Sequence, residues 1–444
     1  MTATAFDEAE LVEHVTGQRW FGSKTRDVTG AHPIDTVVLP STTERVVLAL
    51  VEVRFDTGMH DVYQVLGAER DGRLSLDVLG DPAVAYEIVR LIGAGATEQG
   101  AEGAVEFTTV PGATVEPDPE TMRAIEAEQS NTSLVFGDEL IFKAYRRLEA
   151  GINPELELMR FLTEHGFRNS PALIGWYEYV GRPLEATLGV LQAFVPGGID
   201  GFDLALDELG EDPDRFLRRL GRLGQVTGEM HTVLGSEADD PAFAPEEPST
   251  ESLGLLTATI DEEIERIFSA LPDDPALAPI AGRKQDVRER LMMLSQVGAI
   301  GRVIRQHGDY HLGQALWADD DWTVIDFEGE PARSLADRRR KRSPLRDVAG
   351  MLRSFAYAAS ASRIQRRVEP PGDWEARARA EFLGGYLETV DPNLLPAGED
   401  AIMRLLAIFE LEKAVYELRY ELDHRPDWLS IPVAGIERLL NEVE

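Results

Sequence analysis

Apolar and polar positions change rhythm near residue 198. Ahead of it the alternation is mostly that of strands. Glu8 to Gly17 predicts a short helix ending at a glycine. The apolar runs Glu44 to Phe55 and Asp61 to Leu66 flank Thr57-Gly58 and predict a hairpin. A strand over Arg73 to Val78 and a helix over Ala83 to Leu91 follow, and the glycines at 93, 95, 100 and 103 suggest an edge between layers. Val115-Glu-Pro-Asp-Pro119 is a turn that restarts the pattern. Strands are then expected at Ala124 to Glu128, Leu134 to Phe136, Leu140 to Tyr145, Leu173 to Val180 and Leu188 to Phe194, with Gln129 to Ser133 as a polar turn. One helix, Glu155 to His165, interrupts them, with Asn153 as its cap and Pro154 at its first position.

Past Val195-Pro-Gly-Gly198, which reads as a hinge, apolar residues recur every three or four positions. Helices are expected over Arg215 to Leu234, Leu253 to Leu271, Val287 to Leu294, Leu345 to Ala359, Trp374 to Val390 and Ala401 to Tyr420. Asp239 to Ser249 and Arg363 to Gly372 read as surface loops. The pattern is α+β in three parts: a β-rich cap over 1–115, a strand-rich lobe over 116–198 and a mainly helical lobe over 199–444.

Composition changes this picture in one respect. With 43% hydrophobic and 28% charged residues the 444-residue chain is ordinary, but its net charge is -35. That excludes a nucleic-acid backbone or an anionic membrane surface as a natural partner. The chain has no cysteine, hence no disulfide and no thiolate metal site. No apolar run is long enough to span a membrane and Met1 to Glu13 does not resemble a signal peptide, so a cytoplasmic protein is expected.

The chemistry concentrates at Gln306-His-Gly-Asp-Tyr-His-Leu-Gly-Gln314 and, after the apolar strand Trp322 to Ile325, at Asp326-Phe-Glu328. A carboxylate, an amide five residues on and a later carboxylate are what phosphoryl transfer from a nucleotide requires. In that reading Asp309 orients and deprotonates an attacking hydroxyl, and Gln314 and Asp326 hold Mg²⁺ on ATP. The order matches H-R-D-x-x-x-x-N and D-F-G, but Gly308 replaces the Arg, Gln314 the Asn and Glu328 the Gly, which points to a small-molecule acceptor. Glu328 is either a neighbour of the metal or merely exposed.

Lys143, among apolar residues, needs a partner if it faces inward. Glu157 is the expected one, with Glu155 the alternative, although two residues away it should face the other side of the helix. Ser130, Asn131, Thr132 and Ser133 lie where phosphate oxygens could be met by hydroxyls and N–H groups, or form a plain polar turn. Arg338 to Arg342 is the one basic run, either a phosphate contact or a solvated loop that neutralises nearby carboxylates. Asp347 reads as a cap for the backbone of the catalytic turn. Lys413, Tyr416, Glu417 and Tyr420 share a helical face and suit a sugar site, or pack on the lobe.

These segments together resemble the actinobacterial maltokinase family. The likeness rests on Arg19-Trp-Phe-Gly-Ser-Lys24, Glu128 to Ser133, Leu140 to Arg147, Asn153 to Glu157, His307 to Gln314, Asp326-Phe-Glu-Gly-Glu-Pro331, Pro344 to Asp347, Lys413 to Tyr416 and Arg425 to Trp428, and so covers almost the whole chain. It implies a bilobal protein-kinase-like fold, similar to aminoglycoside phosphotransferases, with an N-terminal cap. It also implies ATP-dependent phosphorylation of maltose to maltose 1-phosphate, feeding α-glucan synthesis from trehalose. By it, Lys143, Glu157, Ser130, Asn131, Thr132, Ser133, Gln192 and Phe194 bind ATP. Gln314 and Asp326 hold Mg²⁺, with Glu328 and His311 around them. Asp309, Arg346, Lys413, Tyr416 and Tyr420 meet the sugar. Glucosamine kinases resemble the family closely, so glucosamine is the alternative acceptor. A catalytically silent partner of trehalose synthase is the alternative of another kind.

Overall fold

The computed structural model describes residues 6–41, 44–70, 73–125, 130–293 and 301–441. Most of the strand expected at Ala124 to Glu128, Gln129 of the polar turn, and the end of the helix expected to reach Leu294 lie outside the described residues. The chain forms two compact units: residues 1–163 with 171–196, and residues 164–170 with 197–444.

The first unit contains two sheets. Val28–Leu39, Arg45–Phe55 and His60–Arg70 run antiparallel, and Arg73–Leu76 adds to the last of them. The hairpin turns at Gly58, whose φ of 78° favours glycine. Arg45–Phe55 is buried on both faces, which is why it reads as a continuous apolar run rather than an alternation. One face packs Val47, Ala49, Val51 and Val53 against Leu11 and Val15 of the helix Glu8–Gly17 and against Trp20 and Phe21. The N-terminal end of that helix is capped by Asp7, whose side chain accepts from Glu10 N.

Val28–Leu39 had no counterpart in the sequence reading. Its register shifts between Val28 and Gly30 and between Pro33 and Asp35, and such irregularities break the period of two on which strand recognition depends.

The second sheet has seven strands, in the order Thr97–Gln99, Gly103–Thr109, Leu173–Gly181, Glu185–Ala193, Leu140–Tyr145, Asn131–Phe136 and Met122–Ala124. Its first two strands lie on the N-terminal side of residue 115, yet they pair in the same sheet as the later segments. Arg147–Leu148 in turn pairs with His60–Arg70 of the first sheet. Buried Gln64 also links the sheets: its Nε2 donates to the Tyr145 and Leu188 carbonyls, each at 2.6 Å, and its Oε1 accepts from Tyr177 at 2.9 Å.

The polar run Asn131 to Ser133 is a correction. It is the start of a strand and not a turn, with Asn131 opposite Tyr145 and Ser133 opposite Lys143. Sheet pairing over these positions overrides their turn-like composition.

The second unit is helical apart from a three-stranded sheet of Ile199–Asp200, Ala315–Ala318 and Asp321–Val324. Asp319 and Asp320, both at positive φ, make its hairpin turn. The helices Pro213–Leu234 and Trp374–Thr389 cross closely because glycines line the contact. A Cβ on Gly224 would collide with the Phe382 carbonyl, and one on Gly385 with the Gly221 carbonyl. Leu345–Ala361 and Glu399–His424 complete the part of the unit that carries the site. No helix among the described residues is long and apolar enough to cross a membrane.

Candidate active site

Asp309 sits on a turn whose backbone is fixed from below. His307 N donates to Asp347 Oδ2 at 2.8 Å and Gly308 N to Asp347 Oδ1 at 2.9 Å. That is the capping role expected of Asp347, which opens the helix Leu345–Ala361. His231 Nε2 donates to the same Oδ2 at 3.2 Å, and His231 Nδ1 shares a hydrogen bond with the Tyr386 hydroxyl, also at 3.2 Å. Burial works to raise the Asp347 carboxyl, but the His231 hydrogen bond and charge, with smaller contributions from His307 and the Gly308 N–H, bring it below the ordinary carboxylate range.

Gly308 has φ of 86°, a conformation that an arginine at this position would adopt only under strain. The substitution for the Arg of the protein-kinase pattern is thus a backbone requirement of this turn. His307 is held between the rings of Tyr310 and Phe327, and its Nε2 donates to the Ile325 carbonyl at 2.9 Å. The tautomer follows from its partners, since Nδ1 faces the Asp309 N–H at 3.4 Å. His311 caps the short turn Leu312–Gln314 by accepting from Gly313 N at 3.1 Å, and burial lowers its pKa.

Gln314 and Asp326 come together: Gln314 Nε2 donates to Asp326 Oδ2 at 3.1 Å. Asp326 has φ of 63°, a left-handed conformation that aspartate tolerates better than most residues and that recurs at functional sites. Ile325 N donates to the Gln314 carbonyl at 3.0 Å, so both residues are seated on one backbone frame. Their oxygens are a donor set suited to a hard cation. Glu328 follows on the same loop, where its carbonyl accepts from Arg338 at 3.1 Å.

The wall beside Asp309 holds charges from distant parts of the chain. Lys413 Nζ lies 3.3 Å from Asp309 Oδ1 and 2.8 Å from Glu330 Oε1. Burial works to lower Lys413, but Glu330 and then Asp309 hold it above its ordinary value. Burial also works to raise Glu330, but Lys413 and Arg333 bring it down to about 2. Tyr416 lines the same cavity, below the Lys413 ammonium at 5.0 Å. Arg346 lines it too, with its charge committed to both oxygens of Glu412 at 2.9 and 2.7 Å.

Glu330 and Arg333 were not singled out beforehand. The one available signal was the Glu330 in Asp326-Phe-Glu-Gly-Glu-Pro331. Tyr420 lies apart from these residues. It is 42% exposed, stacks on His424 at 4.5 Å and is absent from the cavity wall. Seven residues beyond Lys413, the helix has risen about 10 Å past the cavity. Glu417 is turned inward to Arg353 at 2.7 Å.

In the first unit, Lys143 is buried and pairs with Glu155 Oε2 at 3.0 Å, which also accepts from the Tyr145 hydroxyl at 2.7 Å. Glu155, expected to face away, is thus a direct partner of Lys143. Glu157 is also buried. The first helical turn, capped by Asn153 Oδ1 accepting from Glu155 N at 2.8 Å, is covered all round, so the one-face rule for a surface helix does not apply. Ser130 is exposed, while Asn131 and Ser133 are buried in the strand. Gln192 is opposite Ile141, and its Oε1 is buried without a hydrogen-bond donor among the described residues. Phe194 N donates to the Glu139 carbonyl at 2.8 Å, and the Arg123 guanidinium lies 4.9 Å over the Phe194 ring.

A mixed unit with a carboxylate-paired lysine in its sheet, and a helical unit with a backbone-anchored Asp and a Gln–Asp pair, are the parts of a protein-kinase-like phosphotransferase. The chain belongs to the phosphotransferase enzyme family, whose sequence model matches residues 121–383, and its residues 14–84 match the maltokinase N-terminal cap domain, so that the resemblance to the maltokinase family holds.

A glucosamine kinase of Streptacidiphilus jiangxiensis is 28% identical over 379 residues, 82% of each chain. One from Mycolicibacterium smegmatis (strain ATCC 700084 / mc(2)155) is 27% identical over 334 residues, 72% of this chain and 80% of that protein. Among solved structures, a glucosamine kinase in complex with glucosamine, ADP and inorganic phosphate superposes with a TM-score of 0.73 at 21% identity. That match covers 96% of this chain and 98% of the other and shows a shared fold.

Proposed function

We propose that the protein is an ATP-dependent sugar kinase that transfers the γ-phosphoryl group to the anomeric hydroxyl of maltose. The observation that carries the kinase reading is the anchored turn: Asp347 holds the His307 and Gly308 N–H groups and so aims Asp309. In the proposed reaction Asp309 accepts the proton of the sugar hydroxyl as its oxygen attacks phosphorus, and ADP leaves on the opposite side. Lys413, 3.3 Å from Asp309 Oδ1, binds the acceptor beside the reacting hydroxyl. Lys143, oriented by Glu155, supplies a cation for the α- and β-phosphates, and the unmet Gln192 Oε1 suits the exocyclic amine of an adenine. Gln314 and Asp326 would hold Mg²⁺, which when bound neutralises phosphate charge.

Support for maltose comes from the cap at residues 14–84. Glucosamine is the second reading. Two relatives bear that activity in their names, and carboxylates outnumber cations in the wall of the Asp309 cavity, which favours an amine. ATP consumption with Mg²⁺ over maltose, glucose, glucosamine and trehalose decides between them. Turnover confined to maltose, with phosphate on the anomeric oxygen, is the expected result. Preference for glucosamine would move the acceptor and keep the chemistry, and no turnover with any sugar would end the kinase reading.

A further inference from the structure

Beyond Glu412 the helical unit contains a second cavity of about 380 Å³, within the range of small-ligand pockets and larger than the space of about 60 Å³ beside Asp309. The two share Arg333, Arg342 and Arg346, the carboxylates Glu263, Asp337 and Glu412, and Phe409. Leu255, Ile260 and Phe409 make one side of the larger cavity apolar. Its wall carries two more cations than carboxylates, in a chain whose net charge is -35.

Four of those cations are committed. Arg333 pairs with Glu330, Arg346 with both oxygens of Glu412, and Arg340 with Asp337 at 3.3 Å. Lys341 pairs with Glu246 and donates to the Pro241 and Ala244 carbonyls, each at 2.7 Å. Arg342 is different. Its backbone is pinned by reciprocal hydrogen bonds with Ile304 at 2.9 and 2.8 Å, so its position in the wall is fixed. Its half-buried guanidinium has no hydrogen bond or ion pair among the described residues. Burial, then the charges of Arg346 and Arg333, outweigh the attraction of Glu412 and Asp337 and push this guanidinium down to about 10. A forked cation in that position has lost water without gaining a partner, and a tetrahedral oxyanion would supply one with matching geometry.

We propose that Arg342 anchors an anion subsite that takes the phosphate of a sugar phosphate, whose ring rests on the apolar side formed by Ile260 and Phe409. The sugar half of this rests on the kinase reading above, while the anion half does not. Because the cavities share Arg346 and Glu412, a sugar phosphate held here competes with the acceptor. Its source is either the enzyme's own product or the product of another sugar phosphotransferase.

Calorimetric titration of the full chain with inorganic phosphate, glucose 1-phosphate, glucose 6-phosphate and glucose tests it, on wild type, Arg342→Gln and Arg342→Lys. At least one sugar phosphate is expected to bind wild type about tenfold or more tightly than glucose does. That gain should be lost in Arg342→Gln and partly kept in Arg342→Lys. Thermal melting of Arg342→Gln should be unchanged or higher, since the lost charge faced two other arginines. Preference for the 1-phosphate supports the enzyme's own product as the source, and preference for the 6-phosphate supports the other.

Equal binding of glucose and both sugar phosphates, or equal binding by wild type and Arg342→Gln, overturns the proposal. Inorganic phosphate binding as tightly as either sugar phosphate overturns its sugar half. ATP-dependent sugar turnover on the same preparations keeps the two readings apart. Absent turnover with Arg342-dependent phosphate binding sinks the kinase and leaves the anion site. Intact turnover without Arg342-dependent binding sinks the anion site alone.

Discussion

The floor and the wall of the site are built on different physics. The floor, from Tyr386 through His231 and Asp347 to the His307 and Gly308 N–H groups, is buried except at Gly308 and held by directional hydrogen bonds with one arrangement. The wall, from Lys413 through Glu330, Arg333, Glu412 and Arg346, is made of ion pairs that face a cavity and can exchange partners with a ligand. The floor is therefore the half suited to setting geometry, and the wall the half proposed to select the ligand. A change of substrate along this family would be sought in the wall, with the floor left as it stands.

Removing the floor's central group tests the contrast most severely. Asp347→Ala strands the His307 and Gly308 N–H donors and His231, and should cost about 3–5 kcal/mol of stability, read as a large fall in the urea midpoint. If the variant melts like wild type, the floor is not the rigid half. Asp309→Asn keeps the shape and removes the proposed base, and should lower kcat by roughly a hundredfold or more with little change in melting temperature.

The wall gives the next effect. Lys413→Met should raise the KM for sugar more than it lowers kcat, since it removes a group proposed to bind the acceptor. It also bears on acid stability. In the folded protein Glu330 lies near 2, below its ordinary 4.5, so its contribution is present above about pH 4.5 and is lost as pH falls from there towards 2. Without Lys413 the folded value rises, and acid unfolding of Lys413→Met should begin at higher pH than in wild type, as followed by circular dichroism. The smallest effect belongs to Tyr420→Ala. This exposed ring lies outside the cavity, so kcat/KM should stay within about twofold of wild type. A larger loss would return Tyr420 to the sugar site.

How much of this was legible follows from where each interaction closes. Gln314 and Asp326 lie within one short segment, and their spacing predicts the pair that the structure forms. Asp347 was legible because a carboxylate opening a helix after the catalytic segment has few other tasks. Glu330 and Arg333 were not, because their meaning depends on Lys413, 83 residues from Glu330. Local spacing also misassigned Glu155, because a helix buried on all sides has no idle face, and it missed Val28–Leu39, whose register shifts erase the alternation. Asn131 to Ser133 shows the opposite failure: composition spoke clearly for a turn, and strand pairing decided otherwise.

The glycines between Pro213–Leu234 and Trp374–Thr389 work as a calliper. His231 hangs from one helix and Tyr386 from the other, and their 3.2 Å contact is only as constant as the gap between the two backbones. A methyl group added at Gly224 or Gly385 would widen that gap without coming near a sugar or a nucleotide. Such a variant would still fold at low temperature, yet its catalytic turn would drift with heating before the helices separate. Thermal adaptation of this enzyme is therefore expected to be written at a helix crossing, in residues that have no side chain.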